Sequence, residues 1–259
     1  MARKITIASG KGGVGKTTSA INIAHAMNKR NNKTLLIDGN LSTPNVHIYL
    51  GWPILKRTLV SVMKHESDLK DAIYKHSSGL RILPSISSAG EMRTLKVDRL
   101  AEVMDELEGE ADVILLDSAA GIGRETLGAM QVSDEVLIVT NPEMAAVLDA
   151  QKTVQLAHEL GKTILGVVLN KVKYGKHEMK MEEVEKLLDI PVIGVIPFDE
   201  NISKVSSGKH PVTHAYPRAK SSKGFDRVAE ALLGRKYLEG VKRRKSLKDY
   251  VLKMIGLGK

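Results

Sequence analysis

The nine residues Gly10, Lys11, Gly12, Gly13, Val14, Gly15, Lys16, Thr17 and Thr18 combine flexible backbone, cationic side chains and hydroxyls in one short run. They fit the pattern G-x-x-x-x-G-K-[ST], whose glycines let successive backbone N–H groups curl inward around phosphate oxygens. The run lies between an apolar stretch, KITIAS, and a helical pattern, so the positive end of a helix is expected to add to the cradle. In that setting Lys16 is expected at the β- and γ-phosphates of a nucleotide, and the Thr17 hydroxyl at Mg²⁺. Asp38 closes KTLLID and Asp117 closes DVILLD. A carboxylate after each of two apolar strands suits a metal ion, its bound water or the attacking water. Gly121, in DSAAGIG, is expected to turn the backbone toward the terminal phosphate and to make that segment sensitive to its presence.

The elements that must position these residues are legible as apolar runs alternating with helical patterns. The strands read as KITIAS, KTLLIDG, LRILPS, DVILLDSA, EVLIVTN, ILGVVLN and VIGVIP. Helical patterns cover 19–29, 55–75, 95–107, 147–160, 181–188 and 224–233. Near-continuous apolar strands with helices between them predict a three-layer α/β/α fold around a mostly parallel sheet of about seven to eight strands. Lys11, Asp38, Asp117, Asn141, Asn170 and Pro197 fall at the carboxyl ends of those runs, where such sheets gather their functional groups.

Composition narrows the chemistry. The 259 residues include no cysteine, which excludes a disulfide framework, a thiolate metal site and an iron–sulfur cluster. No apolar run approaches the length of a bilayer span, and the expected location is cytoplasmic. The formal charge of +9 is concentrated in residues 235–259, which hold a net +7. There Leu247, Tyr250, Val251, Met254 and Leu257 recur at offsets of three and four beside Arg243, Arg244, Lys245 and Lys248. A basic amphipathic helix of that kind suits an anionic membrane surface. The expected division is a catalytic domain over 1–238 and a membrane-targeting tail over 239–259.

The residues collected so far resemble the MinD/ParA family of P-loop ATPases, over about residues 3–235, and in particular its archaeal MinD-like branch. The resemblance implies the P-loop NTPase fold, ATP/ADP and Mg²⁺ as cofactors, and hydrolysis of ATP to ADP and phosphate. It places Lys11 at the signature lysine of the family's K-G-G-V-G-K-T loop. That lysine crosses an ATP-dependent homodimer interface to the nucleotide of the partner subunit. It also places Asp38 and Asn40 in a first switch segment, Asp117 and Gly121 in a second, and Asp149 at an acidic position after TNPE. Asn170 would read the adenine edge, with Pro197 and Asp199 in the loop enclosing the base. Through the tail it implies peripheral membrane association in the ATP state and positioning of a cell-division or polarity partner; the regulatory protein itself is unidentified.

Two departures qualify the match. Asn40 stands where relatives carry a second aspartate, and an amide offers neither a proton-accepting group nor a charge. Hydrolysis is therefore expected to be slow. Ala119 replaces a common proline and is expected to loosen the second switch. Two alternatives stay open: a ParA-like, DNA-associated partition ATPase, and an ATP-binding membrane scaffold with negligible turnover. The eight histidines are widely spaced and read as ordinary core or surface residues, and Trp52 as a core anchor or an aromatic contact for a partner.

Overall fold

The computed structural model describes residues 2–86 and 99–234. Among them, eight strands form one sheet: β1 Arg3–Ser9, β2 Thr34–Asp38, β3 Tyr74–Lys75, β4 Arg81–Leu83, β5 Val113–Ala120, β6 Glu135–Thr140, β7 Thr163–Val172 and β8 Val192–Pro197. The order is β3-β4-β2-β5-β1-β6-β7-β8. Every pairing is parallel except that of the two-residue edge strand β3 with β4.

The helices are α1 Lys16–Asn28, α2 Val46–Tyr49, α3 Leu59–Met63, α4 Leu69–Ala72, α5 Arg99–Glu106, α6 Arg124–Gln131, α7 Met144–Glu159, α8 Met181–Leu188, α9 Glu200–Gly208, α10 Val212–Ala215 and α11 Lys220–Leu233. Strand periodicity divides the side chains between two layers. In β1, Ile5 and Ile7 enter a core shared with Ala20 and Ile23 of α1 and Phe225 of α11. Ala8 joins Val147, Ala150 and Val154 of α7 in a second core. β2 splits likewise: Leu36 faces the first core, whereas Leu35 and Ile37 face a third with Leu59 and Met104. With both faces covered, β2 and β6 are buried along their whole length.

The continuous helical pattern expected over 55–75 is instead two short helices and β3. Thr58 opens α3 through a reciprocal capping box with Ser61. The chain leaves the helix at His65, whose φ of 58° is left-handed. Helices α2, α6, α9 and α10, which no strong periodicity announced, supply the segments around the strand ends. β5 runs on through Ala120, which pairs with Ser9, and the register shifts across Ser118 and Ala119, so the ladder is irregular where Ala119 stands. Among the described residues no helix is long and apolar enough to cross a membrane.

Candidate nucleotide site

At the carboxyl ends of β1 and β5 a cavity of about 870 Å³ opens beside the loop between β1 and α1. Lys11, Gly12, Gly13, Gly15, Lys16, Thr17, Thr18 and Asn40 all line it, as expected. The loop is fixed from below. A Cβ on Gly10 would sit 2.1 Å from the Asp149 backbone of α7, so the close approach admits only glycine. Gly15 has φ 91°, and a Cβ there would lie 2.2 Å from Asn170 Nδ2. Asp149, expected as an acidic site residue, therefore meets the loop through its backbone, while its carboxylate pairs with Lys152 at 3.2 Å.

The two lysines of the loop behave differently. Lys16 is buried and donates to Asp117 Oδ1 at 2.8 Å and to the Ser118 carbonyl. Lys11 is exposed, and among the described residues its ammonium has no partner. Asp117 and Asp38 lie side by side in the β2–β5 register. Burial, and after it the Asp117 carboxylate, pushes Asp38 well above the usual carboxylate range. Opposing that, its Oδ2 accepts from the Asn45 and Val46 N–H groups, both at 3.0 Å, and its Oδ1 from Asn40 N–H at 3.2 Å. Asp38, expected as a metal ligand, thus holds the start of α2 through Oδ2 and the Asn40 N–H through Oδ1.

Asn40 shapes the segment that follows β2. Its Nδ2 donates to the Thr43 carbonyl at 2.7 Å, while its Oδ1 accepts from Thr43 N–H and Oγ–H. An aspartate could accept the same bonds but could not make that donation. Ser42 next to it hydrogen-bonds through N–H and Oγ to the Glu125 carboxylate of α6, tying together the segments after β2 and β5. Gly121 has φ 82°, yet its N–H is used by the Ser9 carbonyl at 2.8 Å and does not turn into the cavity.

The β7 and β8 ends differ from expectation in part. Asn170 is buried beneath the loop, with Nδ2 on the Val14 carbonyl at 2.7 Å and Oδ1 lacking a partner among the described residues. Asn141, with its amide nitrogen turned inward, reaches the Val14 carbonyl at 3.1 Å and that of Asn170 at 3.2 Å. Pro197 ends β8. The Asp199 carboxylate, expected near a base, is a helix cap, accepting from Asn201 N–H and Nδ2 and from Ser221 N–H and Oγ. Burial raises its pKa, but those donors outweigh it and bring the carboxyl below its ordinary value. Ile202 and Ser203 of α9 line the cavity there.

Arg124, Glu125, Tyr49 and Lys171 also line the cavity, and the motif did not reveal them. Lys11, Lys16 and Arg124 against Glu125 leave the described lining cationic, as a polyphosphate requires, while the Lys171 ammonium is taken up by the Gly13 carbonyl. The Thr17 hydroxyl and Asp117 carboxylate are hard oxygen donors of the kind Mg²⁺ takes. The donor set therefore fits a metal–nucleotide ligand. The tail residues Leu247, Tyr250, Val251, Met254 and Leu257 lie outside the described residues.

The histidines are a correction. His25, His214, His210 and His76 form a chain with ring centroids 5.5, 5.3 and 5.2 Å apart, continued by Trp52 at 5.4 Å from His76 and Tyr74 at 5.8 Å from Trp52. The chain runs from α1 to the sheet edge and includes Trp52, which also packs on the core. Ser78 N–H donates to His76 Nδ1, so the ring proton sits on Nε2, facing the Lys209 carbonyl. Burial first, then His214 and Lys29, bring His25 from 6.5 to about 4, against the opposing pull of Asp226. Among the described residues no group of three or more His, Cys, Asp or Glu could hold a metal ion.

Comparison with known proteins agrees with this geometry. The family model described as "ParA: NUBPL iron-transfer P-loop NTPase" matches residues 1–233. The chain lacks the cysteines with which a thiolate-bound iron cluster would be held. An uncharacterized ATP-binding protein of Methanocaldococcus jannaschii is 34% identical over 245 residues, covering 95% of this chain and 93% of that protein. The septum site-determining protein MinD from Pyrococcus horikoshii OT3, solved complexed with Mg-ADP, superposes with a TM-score of 0.85 at 32% identity, covering 95% of this chain and all of that one. The MinC:MinD cell division complex of Aquifex aeolicus gives 0.80 at 28% identity, covering 90% of this chain and 96% of that one. With the match running through nearly all the described residues, the chain belongs to the MinD/ParA family of P-loop NTPases.

Proposed function

We propose that this chain is an ATP-driven switch that pairs face to face on ATP, hydrolyses it to ADP and phosphate, and carries a cell-division or polarity partner to a membrane through its C-terminal tail. The observation that carries the reading is the contrast between the loop's two lysines. Lys16 is buried inside the cavity, whereas Lys11 leaves the same loop exposed and, among the described residues, unpaired. Segments that pack beside the loop expose apolar side chains. Ile122, next to Gly121, is 56% exposed, and Met144 and Leu148 of α7 are 55% and 43% exposed. An exposed cation on a loop whose neighbouring segments expose apolar groups suits an interface closed over a second copy's phosphates.

In the reaction, Lys16 exchanges Asp117 and the Ser118 carbonyl for phosphate oxygens, and that exchange frees the Asp117 carboxylate. The loop amides hold the phosphates in place and Lys11 of the partner subunit adds positive charge as the terminal phosphoryl group departs to water. Mg²⁺, held through Thr17 and Asp117, would supply charge neutralisation across the phosphates. Asn170 Oδ1, buried without a partner among the described residues, is an acceptor suited to the exocyclic amine of adenine. The Mg-ADP bound by one relative and the MinC partner of another support the same assignment.

Turnover and liposome co-sedimentation, measured together without nucleotide and with ADP, ATP and a non-hydrolysable analogue, test the reading. ATP should be hydrolysed, and the ATP form should sediment with anionic vesicles while a truncation after Gly240 does not. Nucleotide-independent vesicle binding, unchanged binding by the truncation, or ATP-stimulated binding to DNA in place of vesicles would contradict it.

A further inference from the structure

We propose that Lys171 is a positioning residue for the phosphate loop, holding the Gly13–Val14 peptide so that its N–H stays aimed into the cavity. This deepens the nucleotide reading and rests on it. Neighbouring residues of a strand send their side chains to opposite faces. Asn170 and Lys171 are consecutive in β7, yet both reach the same loop. Asn170 Nδ2 donates to the Val14 carbonyl at 2.7 Å, and Lys171 Nζ donates to the Gly13 carbonyl at 2.7 Å. What permits this is the Lys171 backbone, whose φ of 59° is left-handed. A lysine holds that conformation only where its surroundings enforce it.

The geometry of the peptide unit says what the two bonds do. A planar trans peptide points its N–H opposite to its carbonyl. Drawing the carbonyls of Gly13 and Val14 toward the end of β7 therefore turns the N–H groups of Val14 and Gly15 away from that strand. The Val14 carbonyl is held by Asn170, and by Asn141 once the Asn141 amide is turned nitrogen-inward. The Gly13 carbonyl has Lys171 as its side-chain hold among the described residues. The strand that carries Asn170 is thereby bolted to the loop that cradles phosphate, so the two halves of a nucleotide site share one rigid support.

Calorimetric titration of wild type, Lys171→Met, Lys171→Arg and Lys171→Gly with ATP, ADP, pyrophosphate and adenosine tests this. Lys171→Met should weaken ATP, ADP and pyrophosphate by one common factor of about tenfold, with adenosine unchanged. Lys171→Arg should recover most of the loss. Lys171→Gly, which adopts the left-handed backbone without strain, should keep the melting temperature of wild type while binding phosphates as poorly as Lys171→Met. The common factor should survive added salt, and KM for ATP should rise with kcat nearly unchanged. Wild-type affinity in Lys171→Met, no recovery in Lys171→Arg, or a loss that grows from ADP to ATP would overturn the proposal. If wild type bound pyrophosphate but neither nucleotide, the nucleotide reading would fall, and the pyrophosphate series would still judge Lys171.

Discussion

The floor of the cavity and its rim are built on different terms. On the floor, Lys16, Asp117 and Asn170 are buried and joined by short hydrogen bonds to one another's loops and strands. At the rim Lys11 is exposed, and Ile122, Met144 and Leu148 are exposed on the segments that pack beside its loop. A low-dielectric floor whose charges are already paired is fixed by the single chain, and a ligand can only exchange those partners. An exposed cation beside segments that expose apolar side chains has nothing to exchange. It acquires partners only when another surface arrives. The lesson is that one loop can serve two bodies, its inner lysine belonging to the monomer and its outer lysine to an assembly.

The sharpest way to break this contrast is to remove the inner lysine. Lys16→Ala should abolish ATP binding and destabilise the nucleotide-free fold by about 3 kcal/mol, because it leaves Asp117 buried beside Asp38 without a counter-charge. Lys11→Ala should leave the fold within about 0.5 kcal/mol of wild type. Urea unfolding of both variants checks the pair, and equal effects would erase the distinction. Gly10→Ala probes the floor's support: a methyl pressed into the Asp149 backbone should cost about 3 kcal/mol in the same assay.

Behind α1, the histidine chain gives the interior a pH dependence that the rim lacks. His25 titrates in the fold at about 4, below its unfolded value near 6.5, so the fold prefers it neutral. Its stabilising contribution is complete above pH 6.5 and is lost as pH falls from there toward 4. His76, lowered by burial and then by His210, acts in the same direction. Unfolding free energy should therefore drop by about 2 kcal/mol between pH 7 and pH 5, and His25→Asn should flatten the slope. A profile identical in wild type and variant would contradict the assignment. The smallest effect concerns Asn40→Asp, which restores a carboxylate but removes the donor to the Thr43 carbonyl. ATP turnover should rise about threefold, and no increase would end the slow-hydrolysis reading.

The sheet was legible because its strands are buried on both faces and read as unbroken apolar runs. The loop was legible because glycine spacing and a lysine report a backbone task directly. What escaped prediction depends on long-range contact. Nothing in the types of Asp38 or Asp199 announces the backbone N–H groups that their carboxylates accept. His25 and His214 lie 189 positions apart in sequence and meet only because α10 packs on α1. Lys171 follows Asn170 in plain view, but a left-handed lysine leaves no mark in its residue type. The helix α6, which carries Arg124 and Glu125 to the cavity, opens on polar residues and holds Gly128 on its buried side, so its apolar stripe is thin.

The central claim is that Lys11 acts across a nucleotide-dependent pair. Sedimentation velocity of wild type and Lys11→Ala, each saturated with a non-hydrolysable ATP analogue, tests it most directly. Wild type should sediment as a dimer, and Lys11→Ala, with the analogue still bound, as a monomer. A wild-type protein that stays monomeric when loaded, or a Lys11→Ala variant that dimerises as readily as wild type, would contradict the account.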